Sequence, residues 1–183
     1  MKRMSVAALI VFLVFTMGCA GAKGKITTMS QPIDQTSLLK YNSLAIEMNR
    51  QQDVPITSND IERITILITN QITKSNPSRF KFINKDNNKN PILLAKLTFT
   101  RYDKGNAFAR AMLIGLGQIH IDADLVFIDK ETGKELESLK ISKTFAMGGL
   151  YGATTDILSV EDGFAASVAA AILGERDKSP INQ

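Results

Sequence analysis

The sequence predicts a single α/β (α+β) domain, with one mainly antiparallel sheet of four or five strands and two helices packed on one face. Three observations point there. Apolar residues recur at helical spacing in two stretches, near residues 57–76 and 159–174. Between them run segments that alternate apolar and polar residues in the period of a half-buried strand. The chain has 183 residues, enough for one core and too few for two.

In chain order, Leu38 to Ile46 carries enough apolar residues for a first strand. Thr57, Ser58, Asn59 and Asp60 then supply helix caps, Ile61, Ile64, Leu67, Ile68 and Ile72 form one helical face, and Asn76-Pro77 stops it. Phe80 to Ile83 reads as a short strand, the stretch from Asp86 to Pro91 as a polar turn, and Ile92 to Tyr102 as a longer strand with Leu93, Ala95, Leu97 and Phe99 on one face. A hairpin follows. Ile119, Ile121, Ala123, Leu125 and Phe127 share a face, residues 129–134 turn, and Glu135 to Ala146 returns. A loop centred on Thr132 sets Phe127 opposite Glu137, Leu125 opposite Leu139, Ala123 opposite Ile141 and Asp124 opposite Lys140; a one-residue slip would turn Leu139, Ile141 and Phe145 to the wrong face. The last element is an alanine-rich helix with Val160, Phe164, Val168 and Ile172 at steps of four, stopped at Gly174.

Ahead of the domain stand Lys2 and Arg3, an apolar run from Val6 to Phe15, and the only cysteine, Cys19. A membrane-spanning helix needs roughly 20 apolar residues, so the run fits the core of a signal peptide. The residues before Cys19 resemble the lipobox of bacterial lipoproteins, with small Gly18 at the cleavage point. Thr16 and Met17 depart from the usual leucine and small residue there. The resemblance implies removal of residues 1–18, acylation of Cys19, and a protein anchored by lipid in the cell envelope. Ala20 rather than aspartate after the cysteine implies the outer membrane, facing the periplasm, over the inner one. Residues 19–36, rich in Gly, Ser, Thr and Gln, read as the acylated cysteine and a flexible tether, 37–175 as the domain, and 176–183 as a polar tail.

Composition narrows the function classes. The whole chain carries 22 basic and 18 acidic residues, and loss of the signal removes two of the basic ones. No basic stripe remains, and nucleic acid is not an expected partner. A lone cysteine consumed by acylation leaves neither a disulfide nor a thiol nucleophile. The sequence has no Gly-x-Ser-x-Gly elbow and a single histidine, which removes serine-hydrolase and helical zinc-protease patterns. No cofactor is expected. The alternative enzyme reading is a metal-dependent or acid–base hydrolase using His120, Asp122 and Asp124, which share one strand face at two-residue spacing. Neighbours on such a face stand about 6–7 Å apart, and Lys140 opposite Asp124 would compete with a cation.

Two glycine segments remain, Gly105 to Gly117 and Met147 to Gly152, flanking the hairpin and emerging at one end of the sheet. The run Met112, Leu113, Ile114, Leu116 is more apolar than a turn requires. Gly115, Leu116, Gly117, Gly148, Gly149 and Tyr151 are therefore the candidate surface for a protein partner or for self-association.

Gly115-Leu116-Gly117, the alternating strand to Asp129, the Asp-x-x-Thr-Gly turn at residues 129–133 and the Ala-rich last helix resemble a family of bacterial lipoproteins that share a domain of unknown function. The resemblance spans roughly residues 38–173 and implies no particular activity. More distantly, the order of elements is similar to the small domains of periplasmic accessory lipoproteins, such as penicillin-binding-protein activators and the amino-terminal domain of TolB. Those domains bind proteins, which implies a non-enzymatic accessory or scaffold held at the membrane.

Overall fold

The computed structural model describes residues 22–85, 91–113 and 115–175. The signal segment, Cys19, most of the polar turn after Lys85, Ile114 and the tail lie outside these residues. Among those described, no helix is long and apolar enough to cross a membrane.

Six strands form one open sheet: β1 (Lys25–Thr28), β2 (Ser43–Arg50), β3 (Phe82–Ile83), β4 (Ile92–Asp103), β5 (Ile119–Asp129) and β6 (Glu135–Phe145), in the spatial order β1-β6-β5-β4-β2-β3. Five helices accompany them: α1 (Gln35–Leu38), α2 (Ser58–Ser75), α3 (Ala107–Met112), α4 (Gly149–Thr154) and α5 (Ile157–Leu173). The structure departs from the sequence expectation in three short helices, α1, α3 and α4, beyond the two expected, and in the sheet. The sheet has six strands, and it is mixed, because β2 runs parallel to both β3 and β4. The parallel pairs arise from α2, which carries the chain back across the sheet face between β2 and β4 and so returns it in the same direction. The sixth strand is β1, in the segment read as tether; Lys25 pairs with Ser142 and Thr28 with Leu139. The first predicted strand begins later than expected, since Leu38 ends α1.

The hairpin register is the one that the alternation dictates, with Phe127 opposite Glu137, Leu125 opposite Leu139, Ala123 opposite Ile141 and Asp124 opposite Lys140. In β4 the ladder skips Thr100, so that Phe99 faces Ala123 and Arg101 faces Asp122. This bulge keeps Phe99 and Tyr102 both inside.

Helices α2 and α5 cover one face. Thr57 and Asp60 close a capping box at the start of α2, and Gly174, at φ 77°, ends α5 in the left-handed region that glycine enters freely. Val160, Phe164, Val168 and Ile172 point into the core, where the Phe164 ring meets that of Phe99 at 5.7 Å. Between the helices lies a buried polar knot. Glu161, without solvent exposure, accepts hydrogen bonds from Arg63 Nε at 2.7 Å, Arg63 Nη2 at 2.8 Å and the Tyr102 hydroxyl at 2.5 Å. Arg63 Nη2 also reaches Asp60 at 2.6 Å. Burial opposes the charge on Asp60, but bonds from Thr57 and Arg63 outweigh it and hold the carboxyl down at about 2. Burial and the adjoining Glu161 carboxylate keep the Tyr102 phenol protonated well above its usual range.

At the other end of the sheet Asp129 organises the hairpin turn. One oxygen accepts the amides of Glu131 and Thr132, the other the Tyr41 hydroxyl at 2.7 Å. The Tyr41 bond first, then the Thr132 amide, hold its carboxyl at about 2. The Asp-x-x-Thr-Gly motif is thus a turn that pins the segment entering β2.

Removing Glu161 leaves the buried Tyr102 hydroxyl without its acceptor and takes from the half-buried Arg63 one of its two carboxylate partners, Asp60 remaining. Glu161→Ala is expected to cost about 2 kcal/mol in urea unfolding, the penalty of a buried hydroxyl left unpaired, and a loss below about 1 kcal/mol would contradict this role. Asp60 and Asp129 ionise more readily folded than unfolded, so the stability they confer is complete above about pH 5 and lost as pH falls toward about 2. Thermal melts across that window should show Tm falling with acid, with a shallower fall in Asp60→Asn.

Candidate functional site

The strand ends at β4, β5 and β6 opposite the Asp129 turn carry the two glycine segments, and these meet. The Asp103 carboxylate accepts the Gly105 amide at 2.9 Å, and Gly105, at φ 63°, turns the chain out of β4. Asn106 then caps α3 by accepting the Ala109 amide, and its own amide donates to the Gly117 carbonyl at 3.1 Å, which closes the segment on itself. Gly117 is required twice over. Its φ is 62°, and a Cβ there would collide with the Asn106 carbonyl and the Ala109 side chain.

Arg110 joins this loop to the second segment. Only 2% exposed, it donates from Nε to the Gly152 carbonyl at 2.8 Å, from Nη1 to Gly117 at 2.6 Å and from Nη2 to Thr155 at 2.9 Å. A planar guanidinium with donors on three sides is suited to holding three carbonyls at once. Gly152 lets α4 sit down, since a Cβ would strike the Met147 carbonyl. The Tyr151 ring packs edge-on against Phe145 at 5.8 Å.

The result is a rigid base with an apolar top. Phe108 is 75% exposed and Leu150 84%, and Met112, Leu113, Leu116 and Tyr151 are exposed beside them. Six of the ten exposed large apolar side chains among the described residues thus sit on α3, α4 and the loop after α3. Exposed apolar side chains concentrated on neighbouring elements in this way are a mark of contact sites. Of the residues singled out in the sequence, Gly115, Leu116, Gly117, Gly148, Gly149 and Tyr151 all belong to this cap. Gly115 and Gly149 adopt positive φ with open space around them, so they shape the cap, whereas Gly105, Gly117 and Gly152 allow close approach. Arg110 and Phe108 were not predicted. The one signal for Arg110 was a cation inside a glycine-bounded apolar run.

His120, Asp122 and Asp124 lie on the helix-free face of β5, in line and not convergent. His120 Nδ1 meets Thr144 Oγ1 at 3.1 Å, Arg101 stands opposite Asp122, and Lys140 opposite Asp124. Burial and then the Arg101 charge lower the His120 pKa, against the pull of Asp103 and Asp122. Among the described residues, no group of three or more His, Cys, Asp or Glu side chains is placed to hold a metal ion. An open cleft of about 610 Å³ runs between Asp53–Pro55 and Thr100–Lys104. Two of its lining groups are already engaged, Tyr102 by Glu161 and Asp103 by Gly105 and Arg101.

Residues 46–149 match a family described as a domain of unknown function (DUF4410). No curated protein matches the sequence. Among solved structures, a dodecamer of a single-substitution PelC variant from Paraburkholderia phytofirmans is 12% identical with a TM-score of 0.52, the match covering 85% of this chain and 99% of that one. A second PelC dodecamer from the same organism is 14% identical with a TM-score of 0.51, covering 84% and 99%. At such identities the likeness is one of fold alone.

If Arg110 clamps the two segments, Arg110→Leu should raise amide exchange in residues 105–118 and 148–155 together, while β4 and β5 keep their protection. Exchange confined to one segment would contradict the clamp.

Proposed function

This chain belongs to the DUF4410 family, and we propose that it is a lipoprotein of the cell envelope that performs no chemistry of its own and works by assembling with further copies of itself. In this reading residues 1–18 are removed, Cys19 is acylated, and the domain faces the periplasm from the outer membrane. The exposed apolar cap carries the reading. Six large apolar side chains on a clamped base leave apolar area in water, and covering it is worth roughly 25 cal/mol per Å² before the costs of association. A second copy is a suitable occupant because it brings an equally apolar cap or another patch of the same chain. The dodecameric state of the two PelC structures lends support by analogy of fold. The hydrolase alternative draws no support from the dispersed arrangement of His120, Asp122 and Asp124.

A photo-crosslinking amino acid at Leu150 or Phe108, in cells, should capture a second copy of the chain, while the same group at exposed Ile66 on α2 should not. The double variant Phe108→Ser, Leu150→Ser is expected to lose that product while its Tm stays within a few degrees of the parent, since both side chains are already in water. Equal capture from all three positions, or a monomer throughout, would sink the assembly reading.

A further inference from the structure

The chain is tied down almost from its first described residue. The Ala22 carbonyl accepts from Lys143 Nζ at 2.5 Å, Lys23 pairs with Glu175 at 3.8 Å, the Gly24 amide donates to Ser167 Oγ at 2.5 Å, and β1 begins at Lys25. Of the stretch that reads in the sequence as a long tether, only Cys19 to Gly21 precedes these contacts. We propose that the β1 edge of the sheet rests directly on the headgroups of the bilayer that holds the protein, a proposal that depends on acylation of Cys19.

Two lengths decide it. Three residues span at most about 10 Å when fully extended. The headgroup layer outside the hydrocarbon is about 5–8 Å thick on each side. With acyl chains on Cys19 in the hydrocarbon, three residues in any conformation reach no more than a few ångströms beyond the headgroups. Ala22 therefore lies at, or within a few ångströms of, the headgroup surface. A coil of the length that the sequence reading allowed, from Cys19 to residue 36, would span roughly 20–25 Å and impose no such contact.

The edge that meets the lipid is polar. Lys23, Lys25 and Thr27 are exposed along it, Lys140 stands opposite Thr27 on β6, and the exposed Met29 follows β1. Glu175 beside Lys23 and Asp124 opposite Lys140 offset two of the cations. Stalk length brings the start of β1 to the headgroups, and the lysines that follow along the edge suit it to phosphate-bearing headgroups. The opposite edge of the sheet, at β3, stands five strand spacings away, about 24 Å.

The chain has no tryptophan, which makes a single introduced one an unmixed reporter. Full-length lipoprotein bearing Thr27→Trp, or Met29→Trp should the first fold poorly, is reconstituted in phosphatidylethanolamine–phosphatidylglycerol vesicles containing a phospholipid with a nitroxide on its headgroup. Intact mass reports acylation of Cys19 separately. The reporter at the β1 edge should lose most of its fluorescence, and Ile66→Trp on α2 should lose little. A Gly-Ser spacer of about twelve residues between Gly21 and Ala22, averaging roughly 20 Å end to end, should restore the signal. Acylated protein whose β1-edge reporter is unquenched, or is quenched equally with the spacer, overturns the contact while leaving the anchor standing. Absence of acyl mass on Cys19 overturns the anchor and the contact together.

Discussion

A carboxyl group with no access to water is tolerated only if hydrogen-bond partners are held where it needs them, and Glu161 needs three elements at once. Its oxygens take Arg63 from α2 and Tyr102 from β4, while its own backbone belongs to α5. The last helix, the crossover helix and a central strand are therefore fixed relative to one another by a single side chain. Hydrophobic burial of Phe99 and Phe164 beneath the knot is larger in energy but tolerant in geometry, whereas the hydrogen bonds specify one docking of the helices. The knot also reaches Asp60 and Thr57, so the start of α2 is set by the same network.

What was legible in the sequence is what local physics decides. Period-two alternation in residues 119–145 fixes a register because a slip would expose the core face, and Thr57, Asp60 and Gly174 fix helix ends through backbone groups a few residues away. The features that escaped depend on partners distant in the chain. Strand β1 has four residues of which only Ile26 packs on the core, so its pattern is too short to tell from a linker until β6 offers its edge. The parallel pairing of β2 with β4 is settled by where α2 lands. Arg110 finds carbonyls 42 and 45 residues further on, and nothing in its neighbourhood of sequence announces them. For the candidate site, the co-location of the two glycine segments followed from hairpin topology, while the clamp that makes them one surface did not.

The two ends of the sheet divide the labour of the fold. At one, Asp129 binds its own turn and Tyr41, and every polar group named there serves architecture. At the other, a buried cation is satisfied by main-chain carbonyls alone, and its aliphatic neighbours are turned outward. In the proposed assembly, a cap held on a stiffened base loses less freedom when it is covered than a mobile one would.

Strand β4 carries a feature of a different kind. On β5, Ala123, Asp122 and Ile121 alternate without a break, yet they face Phe99, Arg101 and Tyr102, with Thr100 left over. A strand lacking Thr100 would keep every one of these side chains on its present face. Thr100 is therefore a single extra residue absorbed in place, and the alternation of inside and outside is restored immediately after it. A chain shortened by that one residue would keep the same side chains facing the core and differ in the local twist with which the sheet approaches the cap.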